Sequence, residues 1–85
     1  MILQTLSGHT MAVRSVAFVN HGQILASASD DQTIKLWQVS NGLLLTTLKG
    51  HTDAVWSVTS ALDGQILASS STDKTIGLWK DEDRN

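Results

Sequence analysis

Apolar and polar residues alternate along this chain in short runs of period two, each broken by Gly, Asn or Asp. Residues 13–18 predict a first strand, ended by a turn at Asn20-His21-Gly22. Residues 24–28 predict a second strand, rich in small side chains, and Asp30-Asp31-Gln32 a polar turn. Residues 33–39 alternate into a third strand. Ser40-Asn41-Gly42 is a hairpin signal, and residues 43–48 make the fourth strand. Val13 and Val16 are three apart, whereas Val16 and Phe18 are two apart. Placing all three on one face needs an extra residue, which predicts a β-bulge near Arg14 and Ser15. The apolar runs are too short, and too often punctuated, for a helical period of 3.6.

The same pattern then recurs. Sliding the sequence by 42 lays Gly8-His9-Thr10 on Gly50-His51-Thr52 and the six residues from Gly22 to Ser27 on those from Gly64 to Ser69. Asp31 falls on Asp73, Thr33-Ile34 on Thr75-Ile76, and Leu36-Trp37 on Leu78-Trp79. Of the 43 overlaid positions, 22 are identical without a gap. Self-similarity at a period of about 40–45 residues is the mark of a repeat architecture whose units stack on one another.

Four strands per period, opened by Gly-His and carrying Leu-Trp on the third strand, resemble a WD40 blade. The resemblance covers residues 2–80 as two consecutive repeats and implies an all-β fold of four-stranded antiparallel propeller blades. Trp37 and Trp79 match the family's Trp, although Gln38 and Lys80 stand where its Asp would follow. Residues 7–48 form the first repeat. Residues 49–80 form a second that lacks its own outer strand. Residues 2–6 align with the outer strand and would complete a neighbouring blade, and residues 81–85 depart from the repeat as a charged tail. In the family this offset closes the ring. Two blades cannot close alone, because a propeller takes about four to eight. The resemblance therefore implies self-association into a closed ring of three or four copies, or missing blades in a longer chain.

Each repeat holds a Ser, a His and an Asp: Ser27 or Ser29 with His9 and Asp31, and Ser69 or Ser71 with His51 and Asp73. These are the ingredients of a nucleophile, its base and an orienting group. The family resemblance implies a structural tetrad instead, in which Trp, Ser, His and Asp form one buried hydrogen-bonded chain. The donor and acceptor inventory fits such a chain. Position in the family motif selects Ser29 and Ser71, giving His9, Ser29, Asp31 and Trp37 in one repeat and His51, Ser71, Asp73 and Trp79 in the other. No Gly-x-Ser-x-Gly elbow is present, and the set occurs in both repeats, as a piece of scaffold would. The resemblance also puts the residue after the first-strand Val and the residue before the turn Asp on the top face, where partners dock. These are Arg14 and Asp30 in one repeat and Trp56 and Thr72 in the other, all positions where the two copies differ.

Composition narrows the function classes. The chain has no Cys, which removes disulfides, thiol chemistry and Cys-based zinc sites, and its three His lack metal-ligand spacing. No cofactor or metal is expected. Net charge is −2, without the basic footprint of a nucleic-acid binder. No apolar stretch approaches the roughly 20 residues of a membrane-spanning helix, and the N-terminus lacks the pattern of a secretory signal. The expectation is a soluble, cytoplasmic, non-catalytic module that presents a propeller face to a protein partner. The alternative is the terminal blades of a longer bacterial-type WD40 array whose activity lies in another domain.

Overall fold

The computed structural model describes residues 1–61 and 64–80, which form seven strands. They are β1 (Val13–Val19), β2 (Ile24–Ser29), β3 (Thr33–Gln38), β4 (Leu44–Lys49), β5 (Val55–Ala61), β6 (Ile66–Ser71) and β7 (Ile76–Lys80). The first four make one antiparallel sheet in the order β1-β2-β3-β4, and the last three make a second in the order β5-β6-β7. Each strand lies where the alternation places it. The turns between them use left-handed backbone at Asn20, His21 and Gly22, and again at Gln32 and Lys74.

The expected bulge is present twice. The β1–β2 register shifts between Val13 and Ser15, and the β5–β6 register shifts between Val55 and Ser57. Arg14 and Trp56 are thus the extra residues, each bending its strand and turning its own side chain out of the alternation.

The core lies between the blades rather than within either one. Ala26 and Ala28 on β2 are fully buried, and their small side chains let β5 come close. Val55 and Val58 pack there with Ile24, Ile34, Leu36 and Leu67. Backbone links cross the same seam: Val58 N–H donates to Ser15 Oγ at 3.3 Å, and Ser60 Oγ–H donates to Phe18 O at 2.9 Å. At Gly64, φ is +85° and an added Cβ would lie 2.1 Å from the Asn20 backbone nitrogen.

Identical residues meet opposite fates according to the blade they occupy. Ile34 and Leu36 are 0% and 3% exposed, while their repeat counterparts Ile76 and Leu78 are 74% and 75% exposed. Conversely, Val55 and Val58 are 0% and 4% exposed, and their counterparts Val13 and Val16 are 51% and 57% exposed. Repeat sequence sets which face is apolar. Only a neighbouring blade decides whether that face is dry.

Residues 2–6, expected as the outer strand of a neighbouring blade, have no such blade to complete within one chain. They form no strand, and they sit beside the β3–β4 hairpin of the first blade. There Gln4 Nε2–H donates to Val39 O at 2.6 Å, and Leu6 lies close to Gly42. The strand they would complete is β7, in the second blade, and within one chain they do not join its ladder. The charged tail, residues 81–85, lies outside the described residues.

Gly64→Ala is expected to destabilise the chain by more than the ~1–2 kcal/mol that left-handed backbone costs an L-residue, because the blades must also move apart. Urea denaturation followed by tryptophan fluorescence measures this, and a loss under 1 kcal/mol would show that the blades are not in close contact there.

Candidate functional site

The loop before β1 brings His9 over the face of β2, and the turn after β2 brings Asp31 under it. Trp37 Nε1–H donates to Ser27 Oγ at 2.9 Å, and Ser27 Oγ lies 2.6 Å from His9 Nε2. His9 Nδ1 lies 2.8 Å from Asp31 Oδ2. The second blade repeats the chain with Trp79, Ser69, His51 and Asp73 at 2.9, 2.7 and 3.0 Å. A neutral imidazole with its proton on Nδ1 satisfies every member: Trp gives to Ser, Ser gives to His, and His gives to Asp. Among the described residues, no buried side-chain nitrogen or oxygen lacks a partner. The imidazole and indole also meet edge-on, 6.3 Å apart in both blades.

The tetrad serines are therefore Ser27 and Ser69, which corrects the assignment to Ser29 and Ser71. All four serines lie on one face of their strands, and register decides between them. Trp37 stands opposite Leu25 and Lys35 opposite Ser27, so the indole reaches one diagonal step to Ser27 and stops short of Ser29. Ser29 instead serves the turn: its Oγ–H donates to Met11 O at 3.3 Å and its oxygen accepts the Asp31 N–H at 3.0 Å. Ser71 does the same with Ala54 O and the Asp73 N–H.

Two further residues belong to the site and were missed in the sequence. Thr33 Oγ1–H donates to Asp31 Oδ1, and Thr75 Oγ1–H to Asp73 Oδ1, both at 2.5 Å. The signal was an Asp-x-Thr in both repeats, the pattern of a side chain closing its own turn. The other carboxylate oxygen of Asp31 accepts the Thr10 N–H at 3.1 Å. Burial is the largest single influence on the Asp31 carboxyl and raises its pKa. The bonds from Thr33, His9 and the Thr10 and Thr33 N–H groups outweigh it and hold the group well below the usual carboxylate range. Asp73 is held equally low, first by the Thr75 hydroxyl and then by the Thr52 N–H, with His51 adding to them and burial opposing.

Glycine precedes each His for a steric reason. A Cβ on Gly8 or Gly50 would lie 3.0 Å from the edge of the Trp37 or Trp79 ring, which its hydrogen bond holds in place. The arrangement does not suit nucleophilic chemistry. Ser27 and Ser69 are buried, and each hydroxyl is engaged by a Trp donor and a His acceptor.

The bulges build a second kind of site. Arg14 Nε and Nη2 donate to Asp30 Oδ1 and Oδ2 at 2.9 and 2.6 Å, a bidentate pair in which the Arg14 hydrogen bond lowers the Asp30 pKa. At the matching place in the second blade, Trp56 Nε1–H donates to the Thr72 hydroxyl. The four expected top-face residues are thus brought together as two equivalent cross-strand pairs. Trp56 is nevertheless 63% exposed.

The family model for the WD domain, G-beta repeat, matches residues 1–38 and 42–80. This chain belongs to the WD40 family. It is 56% identical over 39 residues to the vegetative incompatibility protein HET-E-1 of Podospora anserina, covering 46% of this chain and 3% of that protein. It is 51% identical over 43 residues to the WD repeat-containing protein SL1-17 of Schistosoma mansoni, covering 51% of this chain and 14% of that one. A ribosome biogenesis protein BOP1 homolog of Drosophila melanogaster is 49% identical over 35 residues, covering 41% and 4%. The chain thus spans a small share of each relative. WD40 repeats are in general non-catalytic interaction domains, and the tetrads and bulge pairs described above give this chain a rigid frame with an exposed WD40 surface.

Two measurements check the tetrad. In a double-mutant cycle, Trp37→Phe and Ser27→Ala are expected to couple by about 0.5–3 kcal/mol, and Trp37→Phe and Ser29→Ala to add independently; equal coupling would return the role to Ser29. The depressed Asp31 and Asp73 carboxyls contribute stability that is fully present above the unfolded-state pKa of about 4 and is lost as pH falls below it. The urea midpoint is expected to fall on acidification from pH 5 to pH 2, and to fall less steeply in Asp31→Asn, Asp73→Asn. An identical slope in wild type and variant would show that these carboxylates do not set acid stability.

Proposed function

We propose that this WD40 chain is a non-catalytic protein-interaction module, soluble and intracellular, that binds through the surface carrying its two bulges. The observation that carries the reading is the pairing of Arg14 with Asp30 and of Trp56 with Thr72, each joining the first strand of a blade to the turn after its second strand. Each pair fixes its large side chain while leaving it in solvent. A preorganised Trp and Arg suit a docking surface, because little rotamer freedom remains to be lost on binding.

The small share of each relative that the chain spans favours a second reading, in which these are blades of a longer WD40 array whose activity lies in another domain. Both readings use the same surface.

Panning a random peptide library on the immobilised chain tests the surface. Selected peptides are expected to lose about tenfold or more in affinity with Trp56→Ala, which corresponds to at least 1.4 kcal/mol. Peptides that bind Trp56→Ala and an Arg14→Ala, Asp30→Ala variant as tightly as wild type would place the binding face elsewhere.

A further inference from the structure

We propose that Asn41 is a self-modification site, where the Gly42 main-chain nitrogen displaces the Asn41 side-chain amide, and that the Gln4 side chain is the clamp that sets its rate. The inference concerns the β3–β4 turn and is independent of the bulge pairs.

Asn-Gly occurs once in the chain; at the matching place in the second repeat the sequence reads Glu82-Asp83-Arg84. Cyclisation needs an accessible side-chain carbonyl followed by a main-chain nitrogen that no side chain shields. Gly42 leaves its nitrogen unshielded, and its φ of +75° makes any other residue costly there. Asn41 is exposed, and its Oδ1 accepts the Leu43 N–H at 3.0 Å. That donor polarises the carbonyl and stands where negative charge would gather on the oxygen during attack.

The step is balanced with water as the only co-reactant. The Gly42 nitrogen loses its proton and bonds to Asn41 Cγ, the Cγ–Nδ2 bond breaks, and Nδ2 leaves with that proton as ammonia. Water then opens the resulting imide ring at one of its two carbonyls. One opening gives Asp at position 41. The other gives an isoaspartyl link, in which the chain runs through Cβ and Cγ. Either product adds a negative charge to the turn, and the second also lengthens the backbone between β3 and β4.

The folded turn holds the nucleophile back. Gly42 N–H donates to Gln38 O at 2.8 Å, and Gln38 N–H donates to Leu43 O at 2.8 Å. Gly42 can attack only when its own bond opens, so the rate follows the population of the open turn. A side chain from outside the hairpin keeps it shut. Gln4 Nε2–H donates to Val39 O at 2.6 Å, while Gln4 Oε1 fills the space that a Cβ on Gly42 would need. Gln4 therefore spans the turn from Val39 to Gly42, with Leu6 packed beside it. The glycine that makes the turn reactive is also what lets the clamp seat.

The test is to incubate the full chain at mildly alkaline pH, where the amide nitrogen loses its proton more readily, and to locate amide-to-acid mass gain by digestion and mass spectrometry. Asn41 is expected to convert ahead of Asn20, which His21 follows. Gln4→Ala changes an exposed residue outside the core, and is expected to speed conversion about fivefold or more, the effect of one lost hydrogen bond on the open population. Hydrogen exchange at Gly42 N–H is expected to rise by the same factor while the β2 amides stay protected. Wild type in urea is expected to convert faster than either folded chain, a comparison that needs no variant to fold. Asn20 converting as fast as Asn41, a Gln4→Ala rate equal to wild type, a faster rate without faster Gly42 exchange, loss of protection across β2, or a urea rate no greater than the folded one would each overturn the proposal.

Discussion

The fold of each blade depends on one chain of hydrogen bonds, from the Trp indole through Ser and His to Asp. It joins the third strand to the second, the second to the loop that enters the blade, and that loop to the turn that leaves β2. Four side chains thereby fix the entry loop, β2, its turn and β3 against one another. Each link is directional, and loss of any one would leave a buried polar group without a partner, which costs more than the bond itself contributes. The neighbouring features follow from this constraint. Gly8 and Gly50 are glycine because the indole edge occupies the space of a Cβ. Thr33 and Thr75 occupy the second carboxylate oxygen of their Asp, so that the acid is saturated while still facing His. The left-handed residues Gln32 and Lys74 are held by the turns that Ser29 and Ser71 cap.

A tetrad makes a rigid sheet but does not make a dry one. Apolar stabilisation scales with the area withdrawn from water, and in this chain the withdrawal takes place between blades. The contrast of Ile34 with Ile76, and of Val55 with Val13, separates the two contributions within one molecule: sequence and local geometry match, and only the neighbour differs. Stacked repeats have this property in general, since stability resides as much in the interface between units as in the units.

Much of this was legible in the sequence, and the portions that were not share a cause. Strands and turns follow from a period of two and from Gly, Asn and Asp, which are local signals. The bulge at Arg14 followed from the three-residue step between Val13 and Val16. His9, Asp31 and Trp37 could be assigned because each repeat offers a single candidate of its type at the matching position. Serine could not, because Ser27 and Ser29 share a face and only the β2–β3 register, with Leu25 opposite Trp37, separates them. Residues 2–6 depend on non-local pairing in the same way. Their sequence repeats that of β4, but a strand exists only with a partner edge, and in one chain these residues lie beside the β3–β4 hairpin and pair with neither edge. Local pattern therefore predicted the elements, and non-local pairing decided what each one does.

The positions at which the two repeats disagree complete the picture. Identity is concentrated in the tetrads and in the faces that stack, where a change would strand a donor or open a gap. At the bulges the repeats differ, yet they differ as pairs. Where the bulged residue is Arg, the residue sixteen positions on is Asp; where it is Trp, that residue is Thr. In both cases a nitrogen donor on β1 or β5 meets an oxygen acceptor at the end of the neighbouring strand, so the backbone geometry is kept while the surface changes from an ion pair to an indole. A repeat built this way can vary the chemistry of one edge blade by blade without disturbing the scaffold. The bulge makes this possible, because it takes that one side chain out of the alternation on which the stacking faces depend.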